Sequence, residues 1–243
     1  MLNKISPYKE SKLTKRNQVA KMFDKISAEY DKLNRVISFG IDKSWRTKVI
    51  KLSSETNPKK ILDLATGTGD LAIMLAKLKP KEIIGLDISK GMLDISDKKI
   101  KKNNCSKLIR NILGDSEKIP FENNYFDLVT ISFGIRNFEH LDKSLQEIYR
   151  VLKPNARLII LETSVPKNPI FLKGYLCYTK CILPQIGKLF SRDKRAYEYL
   201  SESANAFPSG KAFTSILEKN KFTNCTHNEQ TLGVATIYTA TKK

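Results

Sequence analysis

The stretch Ile61–Ala72, ILDLATGTGDLA, carries residues able to cradle a nucleotide. Gly67, Gly69 and Ala72 fit the dinucleotide fingerprint G-x-G-x-x-G/A, in which glycines let the backbone approach a pyrophosphate. Asp63, followed by Gly67 and Gly69, equally fits a loop that holds S-adenosylmethionine. The two ligands differ in charge. A pyrophosphate wants bare N–H groups at a helix N-terminus and no carboxylate nearby. Here Asp63 precedes the loop, Asp70 lies in it, and Asp87 and Asp115 close the next two apolar runs. Four carboxylates around one crevice suit a sulfonium and an ammonium. At an effective dielectric near ~20, each unit charge pair at ~4 Å is worth about 4 kcal/mol before desolvation. A pyrophosphate would meet the same sum with opposite sign, so the spacing predicts S-adenosylmethionine.

The elements that must position these groups alternate short apolar runs with helical patterns, which predicts an open α/β sheet. The run KKILDLA reads as the first strand, followed by a helix over 70–79. EIIGLDIS, LIRNILGD, FDLVTISFG and ARLIILET read as strands two to five, and LDKSLQEIYRVLK as a helix stopped by Pro154. The chain closes with a helix, KAFTSILEKN, then FTNCTHNEQ and a β-branched run, VATIYTATK. In such a sheet Asp63, Gly67, Gly69, Asp87 and Asp115 all fall at the carboxyl ends of strands, where ligands bind. Residues 14–52 hold amphipathic helices. The stripe Val19, Met22, Phe23, Ile26 and Tyr30 reads as packing against the domain.

The 243 residues are ample for one domain, divided by pattern into an N-terminal helical cap (1–55), a cofactor-binding core (56–165), a helical insert (166–210) and a closing helix and strands (211–243). The N-terminus lacks the apolar core of a secretory signal, so a cytoplasmic location is expected. The most apolar stretch, 169–190, is interrupted by Lys173, Lys180, Pro184 and Lys188, so it does not read as a spanning helix. Cys177 and Cys181 sit at helical spacing with no second pair and no nearby histidine, which excludes a recognisable metal site. The net charge is +18, but its distribution is uneven: +9 over 1–60, +2 over 61–165 and +7 over 166–243. Basic flanks can face RNA, an anionic membrane or only water, and the abundance of Lys, Ile and Asn also fits AT-rich coding.

The chain resembles the quinone-biosynthesis C-methyltransferases of the menaquinone and ubiquinone pathways over roughly 17–243. The resemblance runs through MFDKISAEYDKLNRVISFGIDKSWR, LDLATGTGDLA, GDSEKIPF, PQIGKL, AYEYLSESANAFP and LGVATIYTATK, and most specifically through FGIRNF (133–138) with YRVLKP. One turn departs from it: KPNAR (153–157) stands where the family has Lys-Pro-Gly-Gly. Asn155 tolerates a positive φ, whereas Ala156 suggests an altered turn. The resemblance implies a seven-stranded class I methyltransferase fold of Rossmann-like type, with N-terminal helices, a helical insert and an antiparallel last strand. It further implies that Thr68 and the loop glycines hold the methionine end of S-adenosylmethionine, Asp87 the ribose, and Asp115 with Ser116 the adenine. Ser132 would complete the pocket.

The reaction implied is methyl transfer to a ring carbon of a prenylated quinol, a naphthoquinol or a methoxy benzoquinol. The ring carbon becomes nucleophilic as its neighbouring hydroxyl ionises. Arg136 could stabilise that phenolate, its alternative being an ion pair with Asp24, Asp31 or another acid. His140 is the better of the two histidines as a base, a capping role being its alternative. A prenyl tail requires contact with a membrane or with other quinone-biosynthesis proteins, and the lysine-broken insert reads as an interfacial helix. An oligomer is open. An RNA methyltransferase is the competing reading, but no RNA-binding module or aromatic basic motif is found. The intact FGIRN argues against a protein that binds the cofactor without catalysis.

Overall fold

The computed structural model describes residues 5–178 and 193–243. A seven-stranded sheet in the order β3-β2-β1-β4-β5-β7-β6 forms its centre. The strands are β1 (Lys60–Leu64), β2 (Glu82–Asp87), β3 (Ile109–Leu113), β4 (Phe126–Ser132), β5 (Leu152–Thr163), β6 (Phe222–Gln230) and β7 (Ala235–Lys242). The first five run parallel, and β7 lies antiparallel between β5 and β6. This is the topology expected of the methyltransferase sheet. The central strands are continuous apolar runs because helices cover both faces: Ile61, Leu62, Ile83, Ile84, Leu128 and Val129 are fully buried.

The helices are α1 (Lys15–Ile37), α2 (Asp42–Ser54), α3 (Asp70–Leu75), α4 (Lys90–Lys102), α5 (Leu141–Val151), α6 (Pro169–Cys177), α7 (Lys194–Ala206) and α8 (Lys211–Lys219). α1 starts where the Thr14 hydroxyl accepts the Asn17 N–H at 3.3 Å, one of the orphan donors of a first turn. Its buried residues Val19, Met22, Ile26 and Leu33 repeat every three to seven positions and face Met92 of α4 and Ala196 and Tyr199 of α7. It ends at Phe39 and Gly40, both with positive φ.

The sheet order reverses between β1 and β4, and the crevice at their carboxyl ends is where an open α/β sheet takes its ligand. Two details differ from the sequence pattern. α5 stops at Val151, three residues before Pro154, because β5 already begins at Leu152, which pairs with Phe126. The ladder then skips to Leu128 against Arg157, so the departing turn bulges out of register. Asn155 takes the expected positive φ of 62°, and Ala156 is buried without one. Part of the insert, including Lys180, Cys181, Pro184, Lys188 and the whole of PQIGKL, lies outside the described residues. Among the described residues no helix is long and apolar enough to cross a membrane.

Candidate active site

The loop between β1 and α3 is held from three sides. Ala65, Gly67 and Gly69 all have positive φ, at 55°, 56° and 79°. Gly67 donates its N–H to Asp87 at 2.8 Å, and the other Asp87 oxygen accepts the Ser89 N–H at 2.9 Å. Asp63 accepts the hydroxyls of Thr66 (2.6 Å) and Thr130 (2.7 Å). From the far side Gly134 presses on Ala65, where a Cβ would stand 2.5 Å from the alanine's own. Nothing stands within 4 Å of a Cβ at Gly67, so among the described residues the loop leaves open space beside its Cα, on the cavity it lines. At Gly69 an added Cβ would collide with Ser96 of α4. Gly69 therefore seats the loop against a helix and does not line the cavity, although the resemblance places it with Gly67 at the methionine end of the cofactor.

Burial pushes the Asp63 carboxyl up to about 6, against the pull of its two threonine hydroxyls and of Arg46. Asp87 is raised by burial in the same way. Both are acids kept from water without a paired cation, a costly arrangement unless a ligand supplies the charge. The cavity in front of them measures about 1050 Å³. Eight carboxylates and three arginines line it, so a protein of net charge +18 is acidic here. Asp63, Gly67, Thr68, Asp87, Asp115, Ser116 and Ser132 are brought together in that lining. Not all of them are equally available. Asp115 pairs with Arg16 at 2.7 Å, Ser116 with Ser144 at 2.8 Å, and Thr68 donates to Asp31 at 2.6 Å. Asp70 pairs with Lys99, which also meets Asp31. The charge free to meet a cation is therefore chiefly that of Asp63 and Asp87. Ser132 Oγ and Asn137 Oδ1 are buried in the same lining with no hydrogen-bond partner among the described residues. Unpartnered buried polar atoms on a cavity wall fit a polar ligand.

α1 forms one wall of this cavity. Asp24 accepts the Ser89 hydroxyl and the Gly91 N–H at 2.7 and 2.8 Å, and Lys15 donates its N–H to Glu139 beside FGIRNF. Phe23 and Tyr30, assigned by periodicity to packing, do pack against the α1 cluster and in addition line the cavity. The polar residues at Asp24, Asp31 and Arg35 on the same helix were the available signal that this face meets something other than core.

A second, apolar cavity of about 1720 Å³ adjoins the first. Trp45, Tyr175, Tyr178 and Leu200 are among its lining, and the two cavities share Tyr30, Asn34, Asp42, Arg46 and Phe133. Arg46 is the cation at this seam. It is buried, pairs with Asp42, stands 5.4 Å over the Phe133 ring, and its Nε has no acceptor. Sequence reasoning passed over it because nothing in DKSWR marks an arginine as inward-facing. Arg136 lines the apolar cavity only. Its acidic partner is Glu162 at 2.5 Å, and neither Asp24 nor Asp31. The same Nη1 donates to the Phe133 carbonyl at 2.8 Å, leaving the buried Nε unpartnered. His140 lines neither cavity: it is exposed, and its ring meets Glu117 at 2.9 Å.

The sequence pattern of the ubiE/COQ5 methyltransferase family matches residues 10–242. The chain belongs to this family. It is similar to the demethylmenaquinone methyltransferase of Bacteroides fragilis, 42% identical over 98% of both chains. A ubiquinone/menaquinone biosynthesis C-methyltransferase of Geotalea daltonii is 42% identical over 95% of this chain and 99% of its own. Among solved structures, a SAM-dependent methyltransferase from Thermotoga maritima superposes with a TM-score of 0.64 at 19% identity, covering 92% of this chain and 99% of that one. Another, from Aquifex aeolicus, gives 0.55 at 18% identity, over 76% and 82%. The fold is that of class I methyltransferases, and as a member of this family the chain is an S-adenosylmethionine-dependent methyltransferase.

Proposed function

We propose that this enzyme transfers the methyl group of S-adenosylmethionine to a ring carbon of a reduced, prenylated quinol in quinone biosynthesis, converting demethylmenaquinol to menaquinol. The observation that carries the reading is the pair of joined cavities. An acidic pocket shares a wall with a larger apolar one, as a cationic cofactor and a lipid-tailed ring require. The names of the relatives from Bacteroides fragilis and Geotalea daltonii agree with it. A benzoquinol of the ubiquinone pathway would meet the same cavities.

In this reading Asp87 takes the ribose hydroxyls, Asp63 with the loop at Gly67 and Thr68 the methionine end, and Asp115 with Ser116 the adenine. Ser132 and Asn137 offer their unpartnered oxygens to the remaining polar groups. S-adenosylmethionine, when bound, supplies an electrophilic methyl group and leaves as S-adenosylhomocysteine, the ring carbon exchanging its proton for the methyl. The residues of the seam do the rest. The aromatic walls Phe133 and Trp45, whose rings are 6.1 Å apart, hold a flat ring and exclude water. Arg46 and Arg136 each keep a buried Nε–H with no acceptor among the described residues, available to an ionised quinol oxygen. Binding in one fixed pose supplies the alignment of carbon, methyl and sulfur. His140, hydrogen-bonded to Glu117 and lining neither cavity, is not placed to take the released proton, whose acceptor in this reading is water.

The tail brings with it a need for a lipid surface or a carrier protein. The reading is tested by titrating the protein with S-adenosylhomocysteine and with NAD, then supplying labelled S-adenosylmethionine with either reduced quinols or bulk RNA. Heat on binding S-adenosylhomocysteine but not NAD, with label in the quinol, is expected. Label in RNA would overturn it.

A further inference from the structure

The apolar cavity is edged by exposed apolar side chains. Among the described residues seven large hydrophobic side chains are exposed, and five of them, Phe39, Ile41, Ile170, Phe171 and Leu232, line this one cavity. Phe39 is 75% exposed, Ile170 77% and Leu232 61%. Scattered apolar side chains on a surface need no explanation, but a cluster around one opening does. They come from three separate elements: the turn between α1 and α2, helix α6, and the turn between β6 and β7.

Two of them are presented at a backbone cost. Phe39 and Leu232 have φ of 51° and 60°, a region that large L side chains rarely adopt and that persists only where surrounding structure enforces it. The surroundings do enforce it. The Tyr178 ring lies 5.9 Å from that of Phe39, and its hydroxyl donates to the Ile37 carbonyl at 2.7 Å, tying α6 to the first turn. Trp45 Nε1 donates to Thr231 Oγ1 at 2.8 Å, tying α2 to the last turn. The rim is thus one cross-braced collar and not three independent loops.

We propose that this collar inserts into the interfacial layer of an anionic bilayer, setting the open cavity against the lipid so that a tailed quinol enters without crossing water. This rests on the quinol reading above and adds the surface through which the substrate arrives. Charge selects lipid over a second copy of the chain. Lys43 and Lys173 stand exposed two positions from Ile41 and Phe171, and neither meets a carboxylate among the described residues. The acid nearest in sequence, Asp42, is taken by Arg46. Two copies at net charge +18 would bring like charges together at this face, whereas anionic headgroups meet them.

The test is co-sedimentation with vesicles of phosphatidylcholine alone or mixed with phosphatidylglycerol. Phe39→Asn and Leu232→Asn remove the apolar groups while supplying the residue best suited to positive φ, so both variants should fold at least as well as the parent. Binding of the parent should rise with phosphatidylglycerol and fall with salt. Each asparagine should weaken it roughly ten-fold, from lost apolar insertion. Lys43→Glu and Lys173→Glu should each weaken it at least roughly five-fold on anionic vesicles only. These two lysine variants should methylate a short-tailed, water-dispersed quinol at the parent rate. Vesicle binding unaffected by the asparagines would overturn the proposal. So would a dimer that the same substitutions break, because the collar would then be an interface between copies. Failure to methylate any quinol would sink the functional reading instead, and leaves the vesicle result to judge the collar by itself.

Discussion

Replacing Arg136 by Met separates two roles that the buried Arg136–Glu162 pair superimposes. Glu162 is fully buried, and among the described residues it meets, besides Arg136, only the N–H and hydroxyl of Thr163 (2.8 and 3.1 Å). Removing the arginine strands a carboxylate in the core, at a cost of about 3–5 kcal/mol. For a domain of this size that corresponds to a fall in Tm of roughly 6–20 °C. Adding Glu162→Gln removes the stranded charge and keeps an amide oxygen for the Thr163 N–H, so the double variant should recover most of the loss. Turnover should not follow. If the free Nε–H of Arg136 stabilises the quinolate, kcat falls roughly 10²–10³-fold in the single and the double variant alike, the scale of losing one oxyanion donor. Arg136→Lys, which keeps charge but not the planar fork, should fall between. Scanning calorimetry on the three proteins, with kcat measured where each is folded, reads both quantities. A double variant with parent Tm and parent kcat would refute the catalytic role and leave Arg136 a structural ion pair.

Other consequences follow from single side chains. Because burial raises the Asp63 carboxyl to about 6 from an ordinary value near 3.8, the folded protein holds that proton more readily than the unfolded chain. Protonation therefore favours the fold: stability should grow, by up to roughly 3 kcal/mol, as pH falls through 6 towards the ordinary carboxylate range, and be lost again as pH rises through 6. Affinity for S-adenosylmethionine should move the other way, weakening below pH 6 as the anion that meets the cation disappears. Asp63→Asn should flatten both profiles in calorimetric titrations, and a profile left intact would clear Asp63 of the effect. Arg46→Ala should lower kcat by roughly 10²-fold and shift the Asp63 midpoint upward, since Arg46 is one of the groups holding it down; an unmoved midpoint would separate the two. Gly69→Ala places a Cβ against Ser96 at a positive φ and should cost roughly 1–3 kcal/mol. Adding Ser96→Gly should return the steric part only, and a Tm unchanged by the first substitution would contradict the packing role of Gly69.

What could be read from the chain followed from periodicity and charge. Short, mostly apolar runs such as ILDL and IIGL, spaced by helical patterns, read as central strands covered on both faces, and the acids Asp63 and Asp87 fell at the carboxyl edge of the sheet. Helix α1 shows where this stops. Its stripe from Val19 to Tyr30 has one period and packs on one cluster, but Val19, Phe23 and Tyr30 also line the cavity, whereas Met22 and Ile26 do not. Periodicity reports that a face is covered, not by what. The four-carboxylate argument was right in sign and incomplete in detail. Lys99 and Arg16, distant in sequence, take up Asp70 and Asp115, and the acid cluster draws on α1 for Asp31. Arg46 and Glu162 were silent because a buried charge is legible only once its partner's position is known. The early end of α5 reflects strand pairing with Phe126, a tertiary contact that overrides the stop expected at Pro154.

The most direct measurement is the structure of the product. The purified enzyme, given S-adenosylmethionine labelled in its methyl group and a reduced demethylmenaquinol with its prenyl tail, should release S-adenosylhomocysteine and a menaquinol. Carbon NMR should place the labelled methyl on the ring carbon, in equal amount to the S-adenosylhomocysteine formed. A methyl group on the quinol oxygen, or S-adenosylhomocysteine formed with an unmodified ring, would contradict the account.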